Sequence, residues 1–218
     1  NNYKNKVKKE IKKNIPLRND TYIANEKDKL FWYFFILKYG FFEYELVANK
    51  TFIREKEEKI KLIEQIREKK REIKKIKCKI NFLEGELLDN DNISIQTFLC
   101  CCFINNIDII LKKNRCIYHI KQECDDESLY ETDNMDVIEF TDLGYGLNMN
   151  KENKPEIIKK YLDECYIIKN INKPINAVSS YKLTELQDIC KKLNLSCKTE
   201  DGRKYKKNEL YDIIKSKI

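Results

Sequence analysis

Hydrophobic and polar positions divide the chain into segments with helical and strand-like periodicity. The stretch from Asp28 to Gly40 is apolar on every side, which is typical of a fully buried helix. Asp28 is suited to cap the start of this helix, and Gly40 is suited to end it. We therefore predict a central core helix. Its predicted packing residues are Leu30, Phe31, Phe34, Phe35 and Leu37.

Two further helices are predicted after this core helix. A long charged helix begins at Thr51, because isoleucines return along one narrow stripe at helical spacing. They are Ile53, Ile60, Ile63, Ile66 and Ile73. The stripe has no sustained heptad pattern, which favours packing against the domain over a coiled coil. Asn92 or Ser94 can cap the next helix, in which we expect Cys100, Cys101 and Cys102 to be small buried side chains.

The periodicity then changes to that of strands. Residues 107–120 and 135–149 each contain two β-branched or aromatic runs around a short polar turn, which predicts two hairpins. An acidic loop, residues 122–134, joins them. Helices packed on a small antiparallel sheet of two hairpins make an α+β fold.

The remaining chain predicts a helix, a linker and a small helical unit. Pro155 favours the start of a helix over residues 155–168. Pro174 and the neighbouring Asn and Ser residues oppose regular structure before Ser180. The predicted organisation is a basic arm (1–19), an α+β domain (20–168), a linker (169–179) and a helix–loop–helix unit (180–218).

The C-terminal unit combines two amphipathic helices with a basic loop. Ser179 or Ser180 can cap the first helix. Leu183, Leu186, Cys190 and Leu193 lie on one face of the first helix, and Leu210, Ile213 and Ile214 form the matching face of the second. At about 39 residues, such a unit is near the lower size limit for independent folding.

This unit resembles the SAP family, a helix–extended loop–helix module that binds DNA. The matching residues are Leu183, Leu186, Leu193, the loop Gly202-Arg203-Lys204, and then Lys207, Leu210, Ile213 and Ile214. The resemblance implies that the basic loop and the start of the second helix face phosphates, where helix N–H groups also favour an anion. The predicted nucleic-acid-binding residues are Lys191, Lys192, Arg203, Lys204, Lys206 and Lys207. Because phosphate contacts carry little sequence information, non-specific binding is expected.

Charge is distributed unevenly along the 218 residues, whose net charge is +7. Residues 1–18 carry seven basic and one acidic side chain, and residues 50–80 carry thirteen and six. Residues 81–170 are acidic, with nine basic and eighteen acidic side chains, whereas residues 180–218 are basic again. The basic segments are typical of a surface that faces a polyanion, although a solvated helix has the same pattern.

The chain as a whole is similar to uncharacterised proteins of nucleocytoplasmic large (giant) DNA viruses. The similarity covers residues 20–218 and includes "DKLFWYFFILKYG", "EKIKLIEQIREKK" and "ISIQTFLCCCFINNIDIIL". It implies a viral setting, in the host cytoplasm, a viral factory or the virion. The first 13 residues lack the apolar stretch of a signal peptide, and nine cysteines without disulfide-like spacing favour a reducing compartment over secretion. No apolar run reaches the length of a membrane span.

An enzymatic function is the alternative from another class. The first domain faintly resembles OTU-type and papain-like cysteine proteases, but Asp28-Lys29-Leu30-Phe31 lacks the nucleophilic Cys of the D-G-N-C-L-F motif. His119 could act only if Cys100, Cys101 or Cys102 lay within reach. Nucleotide-binding, zincin and hydrolase motifs are missing, a single His disfavours a metal site, and we expect no cofactor.

We therefore predict a non-enzymatic viral protein that binds and tethers DNA. Protein docking, in a structural role in the virion or the transcription apparatus, is the first alternative. It would use the acidic middle of the chain and the long charged helix. A degenerate OTU or papain-like protease fold is the second.

Overall fold

The computed structural model describes residues 21–47, 49–76, 78–89, 91–120, 135–150 and 154–218. The predicted basic arm 1–19 and acidic loop 122–134 lie outside the described residues. The helices are α1 (Lys29–Tyr39), α2 (Phe41–Leu46), α3 (Thr51–Glu68), α4 (Lys70–Lys75), α5 (Ile80–Asp89), α6 (Ile95–Ile104), α7 (Lys154–Glu164), α8 (Leu183–Lys192) and α9 (Lys207–Lys215). The strands are β1 (Thr21–Tyr22), β2 (Ile109–Lys113), β3 (Cys116–Ile120), β4 (Asp136–Thr141), β5 (Gly144–Asn148) and β6 (Tyr166–Ile168).

Helix α1 is the central core helix, as predicted. The Asp28 carboxylate caps it by accepting a hydrogen bond from the Phe31 N–H at 3.2 Å. Gly40 ends it with a φ of 91°, a left-handed conformation that favours glycine. Of the five predicted packing residues only Leu37 is partly exposed. The other four are buried: Leu30, Phe31, Phe34 and Phe35.

The long charged helix is interrupted after Glu68 and continues as α4. Ile63, Ile66 and Ile73 are buried as predicted, whereas Ile53 and Ile60 are 58% and 54% exposed. Only the later part of the isoleucine stripe therefore packs against the core. The third predicted helix is α6, capped by Ser94, and its three consecutive cysteines are fully buried.

The α+β class and both predicted hairpins are confirmed, but the sheet is larger and mixed. Its six described strands lie in the order β1-β5-β4-β2-β3-β6. The hairpins β2–β3 and β4–β5 are antiparallel, and they join through a parallel pairing of β2 with β4. The predicted purely antiparallel sheet is therefore wrong.

Helix α7 is shorter than predicted because its last residues form a strand. The helix ends at Glu164, and Tyr166–Ile168 pairs in parallel with β3. A short apolar run does not by itself distinguish a buried helix from a strand. Here the open edge of β3 supplies hydrogen-bond partners, and the Tyr166 N–H donates to the Arg115 carbonyl at 2.8 Å.

The two faces of the sheet are covered by different helices. Ile109 and Leu111 of β2 pack with α1, α3, α5 and α6, whereas Ile110 packs on the other face with Ile158 of α7. The alternation follows from the two-residue period of a strand. It places two hydrophobic clusters on opposite sides of one sheet.

The C-terminal helices pack at the β3/β6 edge of the sheet. Cys116 of β3 and Ile175 belong to the same buried cluster as α8 and α9, and Tyr166 and Ile168 of β6 pack against it. The segment before α8 contains a short 3-10 helix at Val178–Ser180. The domain boundaries proposed from the sequence stay a prediction, but the C-terminal unit and the sheet share one hydrophobic cluster.

Candidate nucleic-acid interface

The C-terminal unit is built on a small aliphatic core. The side chains that are fully buried are Leu186, Cys190, Leu210 and Ile214. Leu193 is 8% exposed, whereas Leu183 is 41% exposed and does not belong to this core, contrary to the prediction from helical spacing. Ile213 is also only partly covered. The core therefore lacks two of the predicted side chains, whereas Ile189 and Ile175 are buried in it.

The two helices share a repeated segment. Residues 181–189 read YKLTELQDI and residues 205–213 read YKKNELYDI, with the same residue at six of nine positions. Helices α8 and α9 begin at corresponding positions, Leu183 and Lys207. Comparing the chain with itself at an offset of 24 residues reveals the repeat, a signal that the periodicity argument missed.

The repeat explains how both helices begin. The Glu185 carboxylate accepts a hydrogen bond from the Lys182 N–H at 2.6 Å, and the Glu209 carboxylate accepts one from the Lys206 N–H at 2.6 Å. Each is one half of a capping box. The predicted serine cap of α8 is wrong, because Lys182 occupies that position. The start of α9 is therefore already occupied by a carboxylate and is not an open anion site.

Arg203 is also engaged by this carboxylate. Its guanidinium donates to the two Glu209 oxygens at 3.0 and 3.4 Å. A hydrogen bond from the Lys206 N–H and the adjacent Arg203 together lower the pKa of Glu209, so the carboxylate is charged at neutral pH. The charge of Arg203 is thus partly compensated within the unit.

Three predicted lysines remain around the start of α9. Lys204 and Lys206 are exposed and Lys207 is partly exposed. Lys204 lies on a short turn, where it pairs with Lys198 in an antiparallel bridge and Gly202 has a φ of 82°. None of the three lysines forms a salt bridge with any residue that the structure describes. They are the predicted site residues best placed to meet an external anion.

Lys191 and Lys192 lie at the C-terminal end of α8. The Lys191 ammonium pairs with Asp188 at 2.9 Å on the exposed surface. Lys192 is exposed, and its backbone carbonyl accepts a hydrogen bond from Arg115 Nε at 2.6 Å. The six predicted residues are therefore divided between the α9 start and the α8 end.

The other described basic segment, residues 50–76, is compensated in part. Lys59 is buried between Asp28 and Glu55, each at 2.8 Å. Arg67 donates to both oxygens of Glu84 at 2.9 and 3.1 Å. These pairings favour a structural role for much of the positive charge on α3.

The geometry disfavours the cysteine-protease alternative. Tyr118 packs with the α1 side of the sheet, so the next residue, His119, projects from the opposite face. Cys100–Cys102 are on the α1 side, in α6, and burial raises the pKa of Cys101 to about 12. The sheet separates this imidazole from these three thiols, and their burial opposes formation of a thiolate.

Within the described ranges, no group of three or more His, Cys, Asp or Glu side chains could hold a metal ion. Among the described helices, α1 to α9, none is both long enough and apolar enough to cross a membrane.

The chain was compared with known proteins by sequence and by structure. A scan against protein-family models, a search of curated proteins and a search of solved structures each returned no match.

Proposed function

We propose that the C-terminal unit binds the phosphate backbone of duplex DNA without sequence preference, and that the protein tethers DNA without catalysing a reaction. The observation that carries this proposal is the group of lysines at the start of α9, Lys204, Lys206 and Lys207, which are solvent-accessible and form no salt bridge with a described residue. A lysine ammonium contacts phosphate as a point charge, so such a group supplies affinity more than sequence recognition.

The size of the expected electrostatic effect follows from counterion release. Each phosphate neutralised on B-DNA contributes roughly −0.9 to the slope of log K against log salt. The three lysines together would contribute roughly −2.7 to this slope. Other basic segments of the chain add to the total, so the informative quantity is the change in slope between variants.

The experiment is a fluorescence anisotropy titration of the whole chain with a short DNA duplex over a series of salt concentrations. We expect Lys204→Ala/Lys206→Ala to weaken binding at low salt and to make the slope less negative by roughly 1.8. Two duplexes of unrelated sequence should give the same result, because phosphates and not bases are contacted.

The matched control is Lys215→Ala/Lys217→Ala. These two lysines are exposed at the far end of the same unit. Their replacement lowers the net charge by the same amount as the Lys204/Lys206 variant does. The proposal requires a smaller change in slope for the control than for the Lys204/Lys206 variant. Equal slopes for both variants and the wild type would rule it out.

Removing the charge of Glu209 is expected to change DNA affinity in the opposite direction. Glu209→Gln removes the charge that neutralises Arg203, while the glutamine oxygen can still accept the hydrogen bond from the Lys206 N–H. We expect tighter DNA binding and a slope more negative by up to roughly 0.9, measured by the same titration. Glu185→Gln, at the corresponding position of α8, is the control, and an equal gain in both variants would contradict the assignment.

The proposed setting is a viral factory or virion, or the host cytoplasm, in a reducing environment. Eight cysteines lie among the described residues and all are free thiols. These free thiols support the part of the proposal that places the protein in a compartment where disulfides do not form.

Protein docking is a second candidate function. Exposed apolar side chains concentrate on α2 and the first turn of α3, where Phe42 and Phe52 are 69% and 72% exposed and Leu46 and Ile53 are 62% and 58% exposed. Apolar patches of this kind often mark protein interfaces. A protein partner that is lost with Phe42→Ser/Phe52→Ser and retained with Lys204→Ala/Lys206→Ala would favour docking.

A further inference from the structure

The turn between β2 and β3 meets the end of α8. Arg115 lies in this turn, and its Nε donates to the Lys192 carbonyl at 2.6 Å while Nη2 donates to the Glu164 carbonyl at 3.2 Å. Unsatisfied carbonyls at a helix end are favourable acceptors for a cation. Arg115 therefore fixes the hairpin turn beside the C-terminal unit.

Several cations gather at this junction. Burial raises the pKa of the Cys165 thiol and Glu164 adds to the rise, while the charges of Lys112, Arg115 and Lys192 oppose it. Lys113 is also close to the C-terminal unit, because it is paired in register with Cys116, which is buried in the cluster that contains α8 and α9.

The positive charge at this junction is only partly compensated. Lys112 interacts with Glu139 at 3.7 Å. Arg115 donates to two carbonyls, which are neutral acceptors and leave its charge in place. Lys113 and Lys192 are exposed and form no salt bridge with a described residue. A net positive patch follows, formed jointly by the sheet and the C-terminal unit.

We infer that Lys113, Arg115 and Lys192 form a second phosphate-binding patch, so that one DNA duplex contacts the C-terminal unit and the β2–β3 turn together. This inference rests on the proposed function and extends it to the α+β domain. Duplex DNA presents one charge per about 1.7 Å of its axis, so phosphates are available to both patches at once. Arg115 also positions the patch, because its hydrogen bonds hold the turn against α8.

Lys113 is the residue to test, because it is exposed and, within the described ranges, its ammonium forms no salt bridge and lies 5.5 Å from the Phe140 ring centroid in a cation–π contact. In the full chain, we expect Lys113→Ala to make the slope of log K against log salt less negative by roughly 0.9. Lys113→Arg should restore the wild-type slope, because it keeps the charge. Lys159→Ala, which removes an exposed lysine from α7, is the control and should leave the slope unchanged.

The outcomes separate this inference from the proposal on which it rests. A shallower slope for both Lys113→Ala and Lys204→Ala/Lys206→Ala supports both. If only the Lys204/Lys206 variant changes the slope, the second patch is rejected and the proposed function stands. If neither changes it, both are rejected. A change in Lys113→Ala that Lys113→Arg does not restore, or that Lys159→Ala reproduces, also overturns the second patch.

Discussion

Replacing Asp28 by alanine is expected to lower the free energy of unfolding by about 3–5 kcal/mol. The Asp28 carboxylate is 1% exposed and pairs with the buried Lys59 ammonium at 2.8 Å. It also accepts hydrogen bonds from the N–H groups of Phe31 and Ile93. The substitution removes the cap of α1 and leaves Lys59 with one carboxylate, Glu55, in an apolar surrounding.

Urea denaturation, followed by circular dichroism, measures this loss. Asp28→Asn keeps a side-chain oxygen for the cap but removes the charge, so we expect an intermediate loss. Asp91→Ala is the exposed control. Asp91 pairs with Lys27 on the surface, and we expect a much smaller change there. Equal stability of Asp28→Ala and the wild type would show that this buried network does not hold α1 in place.

Replacing Leu210 by alanine is expected to destabilise the C-terminal unit by about 2–5 kcal/mol. Leu210 is fully buried in the cluster that joins α8 to α9, where the other buried aliphatic side chains include Leu186, Ile189 and Ile214. Removing it leaves a cavity that so small a unit cannot fill without losing the packing of α8 against α9. DNA binding should weaken as well, because the loop and the start of α9 lose their fixed arrangement.

Hydrogen–deuterium exchange of the whole chain separates this local loss from global unfolding. We expect faster exchange in α8 and α9 and little change in α1 and α6. Leu183→Ala is the matched control, since Leu183 is a leucine of the same unit that is 41% exposed. Unchanged exchange in Leu210→Ala, or an equal effect of Leu183→Ala, would contradict the proposed core.

The parts of the fold that could be predicted from sequence are those fixed by local interactions. Helix α1 is apolar all round and carries both of its end signals, Asp28 and Gly40, within the segment. The two hairpins depend on strands joined by short turns. The parallel pairing of β2 with β4 and the conversion of Tyr166–Ile168 into a strand depend on partners distant in sequence, which periodicity does not reveal.

The residue types of the candidate site could be predicted from the sequence. Which of its cations pair with a carboxylate could not. The sequence points to the basic loop, but it does not show that Arg203 pairs with Glu209 while Lys204 and Lys206 form no such pair among the described residues. That difference depends on how the loop folds back on α9. The junction of Arg115 with α8 is a tertiary contact across 77 residues, which no local pattern predicts.

The most direct test of the account is an NMR titration of the isotope-labelled full chain with a non-specific DNA duplex. The account predicts that the largest shift changes fall on the backbone amides of residues 203–209 and that added salt reverses them. Shift changes confined to other segments, or none at a DNA concentration that saturates binding in the anisotropy titration, would contradict the claim that the lysines at the start of α9 contact phosphate.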